Sequence, residues 1–214
     1  MILTDVEILG ILNVLAKKRP VFHNEADFQF ALAWEIQKTY SKCEIRLEYK
    51  VPSFENRYTD IWIKDENSIA IELKYKPKPV SIEFDNEFFK LKEHGAQDLG
   101  RYDFLKDVQR VEEIILKYPN VTGYAIILTN DHLYWDLPVK EDSVDSDFKI
   151  HEGKIIHGSL SWSSLAGNGT TKNRTDSIII NGNYESNWSD YSIFDIPAFG
   201  KFRILCFEIG NINS

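Results

Sequence analysis

The chain has 214 residues, 43% of them hydrophobic and 13% aromatic, which is enough apolar material for one large α/β domain and too much for a disordered chain. No apolar run is long enough to span a bilayer. A formal net charge of -8 excludes a surface that binds nucleic acid everywhere, since phosphate contacts need Lys and Arg, but leaves room for a local basic track.

The start Met1-Ile2-Leu3-Thr4-Asp5 lacks the basic flank and cleavage site of a signal peptide. Cys43 and Cys206 are the only cysteines, so buried thiols in a reducing, cytoplasmic setting are expected. The triplets at Asn168 and Asn173 match glycosylation acceptors and are read as chance. The acidic stretch 141–147 reads as a solvated loop.

The first helix is announced by a Thr4–Glu7 capping box and an apolar stripe of Ile8, Ile11, Leu12 and Leu15. Lys17, Lys18 and Arg19 suit its C-terminal dipole, and Pro20 stops it. A second helix is expected over 24–40, capped by Asn24, with Phe28, Leu32 and Ile36 as its buried stripe. Glu25 lies on that same face. Strands follow at 44–51, 58–64 and 68–75, the last two flanking the polar turn Asp65-Glu66-Asn67. Lys76-Pro77-Lys78-Pro79 ends the third strand, because proline cannot donate to a ladder. A short helix over 86–94 closed by Gly95 is expected next. Then comes a helix over 101–117 with Phe104, Val108, Val111 and Ile115 on one face. The run 121–129 is almost continuously apolar, the mark of a strand buried on both faces.

Beyond it, 155–160, 177–180 and 201–209 read as strands, Asn181-Gly182 as a tight turn, and 167–174 as a flexible, mildly basic loop. No repeat or linker divides the chain. The expectation is one domain over 1–214: an N-terminal helix (1–20), a core (24–129) and a β-rich extension (130–214) that extends or covers the same sheet. The fold class is α/β, with a mixed sheet.

Chemistry concentrates in the second and third strands. Side chains two apart on a strand share a face, so Glu72 and Lys74 point the same way. A three-residue turn sets Lys64 against Ser68, Asp60 against Glu72 and Tyr58 against Lys74, with the two carboxylates about 5 Å apart at Cβ. Ile61, Ile63, Ile69, Ile71 and Leu73 then form the opposite, apolar face. A two-residue turn would shift the register and separate the polar group. Paired carboxylates repel, and a hard divalent cation relieves that repulsion. Lys74 beside it can orient or deprotonate a metal-bound water, or stabilise charge on a phosphate.

Asp60 followed by Glu72-Leu73-Lys74 resembles the Asp…Glu-x-Lys pattern of the PD-(D/E)XK, restriction-endonuclease-like nucleases. Tyr58-Thr59-Asp60 stands where that family has a loose Pro-Asp. The order helix, three strands, helix, strand over 24–129 is similar to the family core, and the likeness covers about half of the chain. It implies a Mg²⁺-dependent DNA endonuclease, with Mn²⁺ as a substitute metal. Glu25, Asp60, Glu72 and Lys74 would be catalytic, and Glu25, Asp60, Glu72 and the backbone of Leu73 would hold the metal. A bacterial or phage-defence role follows only by analogy.

Other readings stand beside this one. Asp60 and Glu72 can be surface residues of a half-exposed hairpin with Lys74 as cross-strand partner, and Glu25 a first-turn acid on a helix dipole. The chain can be a non-catalytic module of the same fold that binds nucleic acid or serves assembly. RNA, or modified or branched DNA, is an open substrate. A homodimer through the N-terminal helix is open too, although packing on its own sheet is the commoner fate of such a stripe. For substrate contacts, Lys76 and Lys78 lie beyond the catalytic strand, and Lys172 and Arg174 stand near Trp162, Tyr184, Trp188 and Tyr191; those aromatics read first as core. Arg101, Asp103, Lys106, Asp107 and Arg110 read as a salt-bridged helix face, and Lys50 and Gln97 as solvated or as neighbours of the site. The histidines have no zinc-like spacing, and neither a Gly-rich phosphate loop nor a Gly-x-Ser-x-Gly elbow occurs.

Overall fold

Apolar side chains alternate onto both faces of the central strands, so the sheet they form has to be covered twice. The computed structural model describes residues 8–52, 54–55, 57–64, 67–93, 95–140 and 142–210. The Thr4–Glu7 capping box, and Asp65 and Glu66 of the expected turn, lie outside those residues. The chain begins with α1 (Ile8–Lys18) and α2 (Glu25–Thr39), then β1 (Glu44–Lys50), β2 (Tyr58–Lys64) and β3 (Ser68–Tyr75). A hairpin of β4 (Val80–Phe84) and β5 (Glu87–Leu91) precedes α3 (Gln97–Lys117) and β6 (Val121–Thr129). The remainder is β7 (Ile155–Leu160), a short α4 (Asn168–Thr171), β8 (Ile178–Glu185), β9 (Ser189–Ile193) and β10 (Lys201–Ile209).

The main sheet has six strands in the order β1-β2-β3-β6-β10-β9. β3 and β6 run parallel and the other neighbours are antiparallel. This is a mixed sheet in an α/β fold, as the sequence suggests. One face carries Ile61, Ile63, Ile69, Ile71, Leu73, Tyr124, Ile126 and Leu128, all buried with α1 and α2. The other carries Trp62, Ala70, Ala125 and Ile127 against α3 and the β7–β8 pair. β9 and β10 therefore extend the sheet, while β7 and β8 cover it. No described helix is long and apolar enough to cross a membrane.

Four expectations need correction. Residues 86–94 contain a strand, because Asp85 and Asn86 both take positive φ (50° and 60°), the geometry of a tight hairpin turn, and Phe84 then pairs with Glu87. Asn181-Gly182 lies inside β8, its backbone N–H groups donating to the buried Glu112 carboxylate. The 167–174 loop contains the α4 turn. The acidic stretch is anchored by Asp145, which is buried against Arg101 rather than solvated.

Candidate active site

β2 and β3 pair in the expected register, Ile61 opposite Ile71, Trp62 opposite Ala70 and Ile63 opposite Ile69. The ladder then stops. Asp60, expected to pair with Glu72, belongs to neither neighbouring ladder of β2. Its carbonyl accepts instead from Gln29 Nε2 at 2.6 Å, and the same nitrogen donates to Glu48 Oε1 at 2.9 Å. Across from Asp60, Glu48 of β1 takes a left-handed φ of 48°, which costs a side-chain-bearing residue roughly 1 kcal/mol or more. The β2–β3 ladder thus ends at Ile61 and Ile71 and leaves a gap in the strand pairing.

Carboxylates fill that gap in place of a strand. Leu73 N–H donates to Asp60 Oδ2 at 2.7 Å, and Tyr75 N–H donates to Glu25 Oε2 at 2.8 Å. Glu25 arrives from the first turn of α2. From the other side of the sheet, α3 contributes Asp107, which is 1% exposed, and Arg110. Lys74 Nζ lies 2.6 Å from Asp107 Oδ2 and donates to Leu73 O at 3.3 Å. Arg110 donates to Asp107 Oδ1 at 2.6 Å and stands 3.6 Å from Glu72 Oε1.

Glu72 is 2% exposed, and its Oε1 has no hydrogen-bond partner. Burial, with Asp107 and Asp60 beside it, pushes its carboxyl well above the ordinary range. Asp60 is pushed up from 3.8 to about 6, chiefly by burial, against the pull of Lys74 and of the Leu73 N–H. Burial works against the Lys74 ammonium, but Asp107, Glu25 and Asp60 outweigh it and hold its pKa above the ordinary value. Lys74 is therefore a firmly protonated group, suited to stabilising negative charge and unsuited to removing a proton.

Four carboxylates thus meet two cations. The donor set offers hard oxygens: Asp60, Glu72 Oε1 and the carbonyl of Leu73, with Glu25 next to them. Among the described residues, however, no three Asp, Glu, His or Cys side chains stand close enough to form a ready-made metal cage. Asp60 and Glu25 are each tied to a backbone N–H, and Asp107 to two cations.

No protein-family model, curated protein or solved structure matches the chain.

The structure brings Glu25, Asp60, Glu72 and Lys74 into one gap, and it adds Asp107, Arg110 and Gln29. The expected salt-bridged face of α3 does not form as such: Arg101 pairs with Asp145, Asp103 with Arg174, and Lys106 with Gln109. Among the described residues, the ion pair within that helix is Asp107 with Arg110. A signal for Asp107 exists in the sequence, since it falls on the Phe104–Val108–Val111 stripe and so had to face the sheet. Of the other candidates for substrate contact, Lys78 is engaged by Glu93 and Asp131, and Arg174 makes a bidentate pair with Asp103. Lys76 follows the end of β3, and Lys172 is exposed beyond α4. Gln97 binds Asp131 rather than the site. Trp188 and Tyr191 are buried, Trp162 packs on Tyr102, and Tyr184 donates to Glu112.

Proposed function

We propose that the chain is a divalent-metal-dependent phosphodiesterase with a PD-(D/E)XK type of site, acting as a DNA endonuclease. The observation that carries the reading is the charge balance of the gap. Among the described residues, Asp60, Glu72 and Asp107, with Glu25 alongside, meet two cations, Lys74 and Arg110, and Glu72 Oε1 is buried without a hydrogen-bond donor. Carboxyls that outnumber the cations of a desolvated site, and that burial makes costly to ionise, suit a dication. The order α2–β1–β2–β3–α3–β6, with the β4–β5 hairpin inserted, supports the same resemblance.

Mg²⁺, or Mn²⁺ in its place, would be held by Asp60, Glu72 and the Leu73 carbonyl, with Glu25 alongside; it would supply polarisation of the phosphodiester and a more acidic water. Lys74 Nζ has to release Leu73 O for this, and keeps its proton while facing the substrate phosphate. Arg110 offers a second positive group to the same charge. The preference for DNA, and a role in bacterial or phage defence, rest on the resemblance alone. The two free cysteines suit a reducing cytoplasm.

The rival reading is a non-catalytic module of this fold that binds nucleic acid or serves assembly. It draws on the Lys74–Asp107–Arg110 ion pairs, which already satisfy part of the site, and on the lack of a three-donor cluster among the described residues. Cleavage of plasmid and single-stranded DNA with Mg²⁺ or Mn²⁺ separates the two. The nuclease reading expects cutting that is lost in Asp60→Asn and Glu72→Gln, with both variants folded. Undiminished cutting by both variants, or none by the native chain with either metal, would end it.

A further inference from the structure

Beside the carboxylate gap lies a small cleft, of about 120 Å³, lined by Arg57, Lys106, Gln109, Arg110 and Glu113. Four of these residues come from α3 at positions i, i+3, i+4 and i+7, which puts them on one stripe of the helix. That stripe runs beside the one carrying Asp107, so Arg110 belongs to both places: it touches Glu72 and Asp107 on one side and lines the cleft on the other. The fifth residue, Arg57, comes from the segment leading into β2.

Three cations share this cleft with one carboxylate, in a chain whose net charge is -8. Arg57 is fixed in place, ion-paired to Glu113 and stacked 4.7 Å above the Phe54 ring, yet a guanidinium has five N–H donors and one partner does not exhaust them. Lys106 donates only to the neutral Gln109, at 3.0 Å, and pairs with no carboxylate among the described residues. A half-exposed ammonium left without a counter-ion, next to two oriented guanidinium groups, is the chemistry that recognises phosphate. From Lys106 to Glu113 the stripe is about 10 Å long, roughly three nucleotides of rise along one strand.

We propose that this cleft holds the phosphodiester backbone of a nucleic-acid strand, seating the phosphates next to the one at Glu72 and Lys74. It rests on the phosphodiesterase reading for the place of that reacting phosphate. It also assigns the backbone track to residues other than Lys76, Lys78, Lys172 and Arg174.

Binding is read by fluorescence anisotropy with a short fluorescein-labelled single-stranded DNA, in EDTA and again with Ca²⁺, over a series of salt concentrations. Lys106→Gln is expected to weaken binding about threefold to tenfold and to lower the log–log salt slope by about one. Arg57→Gln is expected to act in the same direction. Lys42→Gln, an equal change of charge in the turn before β1, at the far end of that strand, should leave affinity and slope unchanged. Gln keeps helix propensity near that of Lys, and equal melting temperatures confirm that Lys106→Gln is folded. An unchanged salt slope in both cleft variants, an equal loss in Lys42→Gln, or no binding by the native chain under either condition overturns the proposal. The metal reading fails separately, by the absence of a Mg²⁺-induced rise in melting temperature in the same proteins.

Discussion

Asp60→Asn removes one charge from the gap and keeps the oxygen that accepts from Leu73 N–H. In the metal-free fold, burial raises the Asp60 carboxyl from 3.8 to about 6. One pKa unit corresponds to about 1.4 kcal/mol, so ionising Asp60 in the folded chain costs up to about 3 kcal/mol. The sign follows from the direction of the shift. A carboxyl raised by folding contributes stability that is complete below its unfolded value and is lost as pH rises through its folded value. The native protein should therefore weaken between pH 3.8 and about 6 and stay weaker above that window.

Asparagine has no proton to lose there. In EDTA at about pH 7.5 the variant should be more stable than the native chain by about 1–3 kcal/mol, and at about pH 4 this advantage should vanish. For a chain of this size each kcal/mol moves the melting temperature by about 2–4 °C, so circular-dichroism melts across the window resolve it. A gain of the same size at both pH values, or a loss at the higher one, would show that Asp60 is not a destabilised anion. Saturating Mg²⁺ should shrink or erase that lead. At 100 times Kd a bound metal adds about 2.7 kcal/mol to the native chain and much less to the variant.

Three further predictions lie outside the gap. Despite its burial, Asp145 is pulled down from 3.8 to about 2 by Arg101, with hydrogen bonds from Ser143 and Lys149; a lowered carboxyl stabilises above its unfolded value and fades as pH falls through its folded one. Asp145→Asn should thus cost about 2 kcal/mol at neutral pH and progressively less between pH 3.8 and 2, read from urea midpoints; a cost independent of pH refutes the ion pair as its source. Glu112, 0% exposed, accepts from the backbone N–H groups of Asn181 and Gly182 and from Tyr184. Glu112→Leu should cost about 3 kcal/mol or more in orphaned donors, whereas a loss under about 1 kcal/mol would mean that β8 finds other partners. At Gly100 an added Cβ would meet Tyr134 Oη at 2.0 Å. Gly100→Ala should therefore destabilise the native chain by about 1–3 kcal/mol and be far milder in a Tyr134→Phe background, measured as a double-mutant cycle; additive effects would contradict the clash.

Where local pattern and tertiary demand agree, the sequence is legible. β2, β3 and β6 occupy 58–64, 68–75 and 121–129 as expected, because their apolar faces are decided by alternation or by continuous burial. Glu72 and Lys74 share a face for the same reason. What the sequence hides is the place where the ladders open. Nothing local says that Glu48 turns left-handed or that Gln29 takes the Asp60 carbonyl, since both depend on how α2 lies across the sheet. Asp107 is a different failure. Its spacing places it on the buried stripe of α3, but a carboxylate on a helix reads first as a solvent group until a lysine is known to stand opposite. Residues 86–94 mislead in a third way: a helical reading overlooks that Asp-Asn tolerates two consecutive positive φ values, which folds the segment into a hairpin.

Backbone strain at Glu48 and charge burial at Asp60 and Glu72 fall side by side, and one cause accounts for both. An aspartate paired in a regular ladder would point its carboxylate out of the sheet, away from the neighbouring strand's backbone. Here the ladder beyond Ile61 and Ile71 is missing, so the Leu73 and Tyr75 N–H groups turn to Asp60 and Glu25 in place of strand carbonyls. Each such bond stabilises an anion in the gap, and together they draw negative groups from β2 and α2 toward Glu72, which already lies against Asp107. A fold seeking stability alone would close the ladder and neutralise or remove Glu72. Opening it costs strain at Glu48 and desolvation at two carboxyls, a cost that a bound cation would offset on the proposed reading. Melting curves of Glu72→Gln in EDTA put this to the test: the variant should be the more stable protein without metal, and a less stable one would mean that Glu72 is held by structural bonds and that the gap is no cation site.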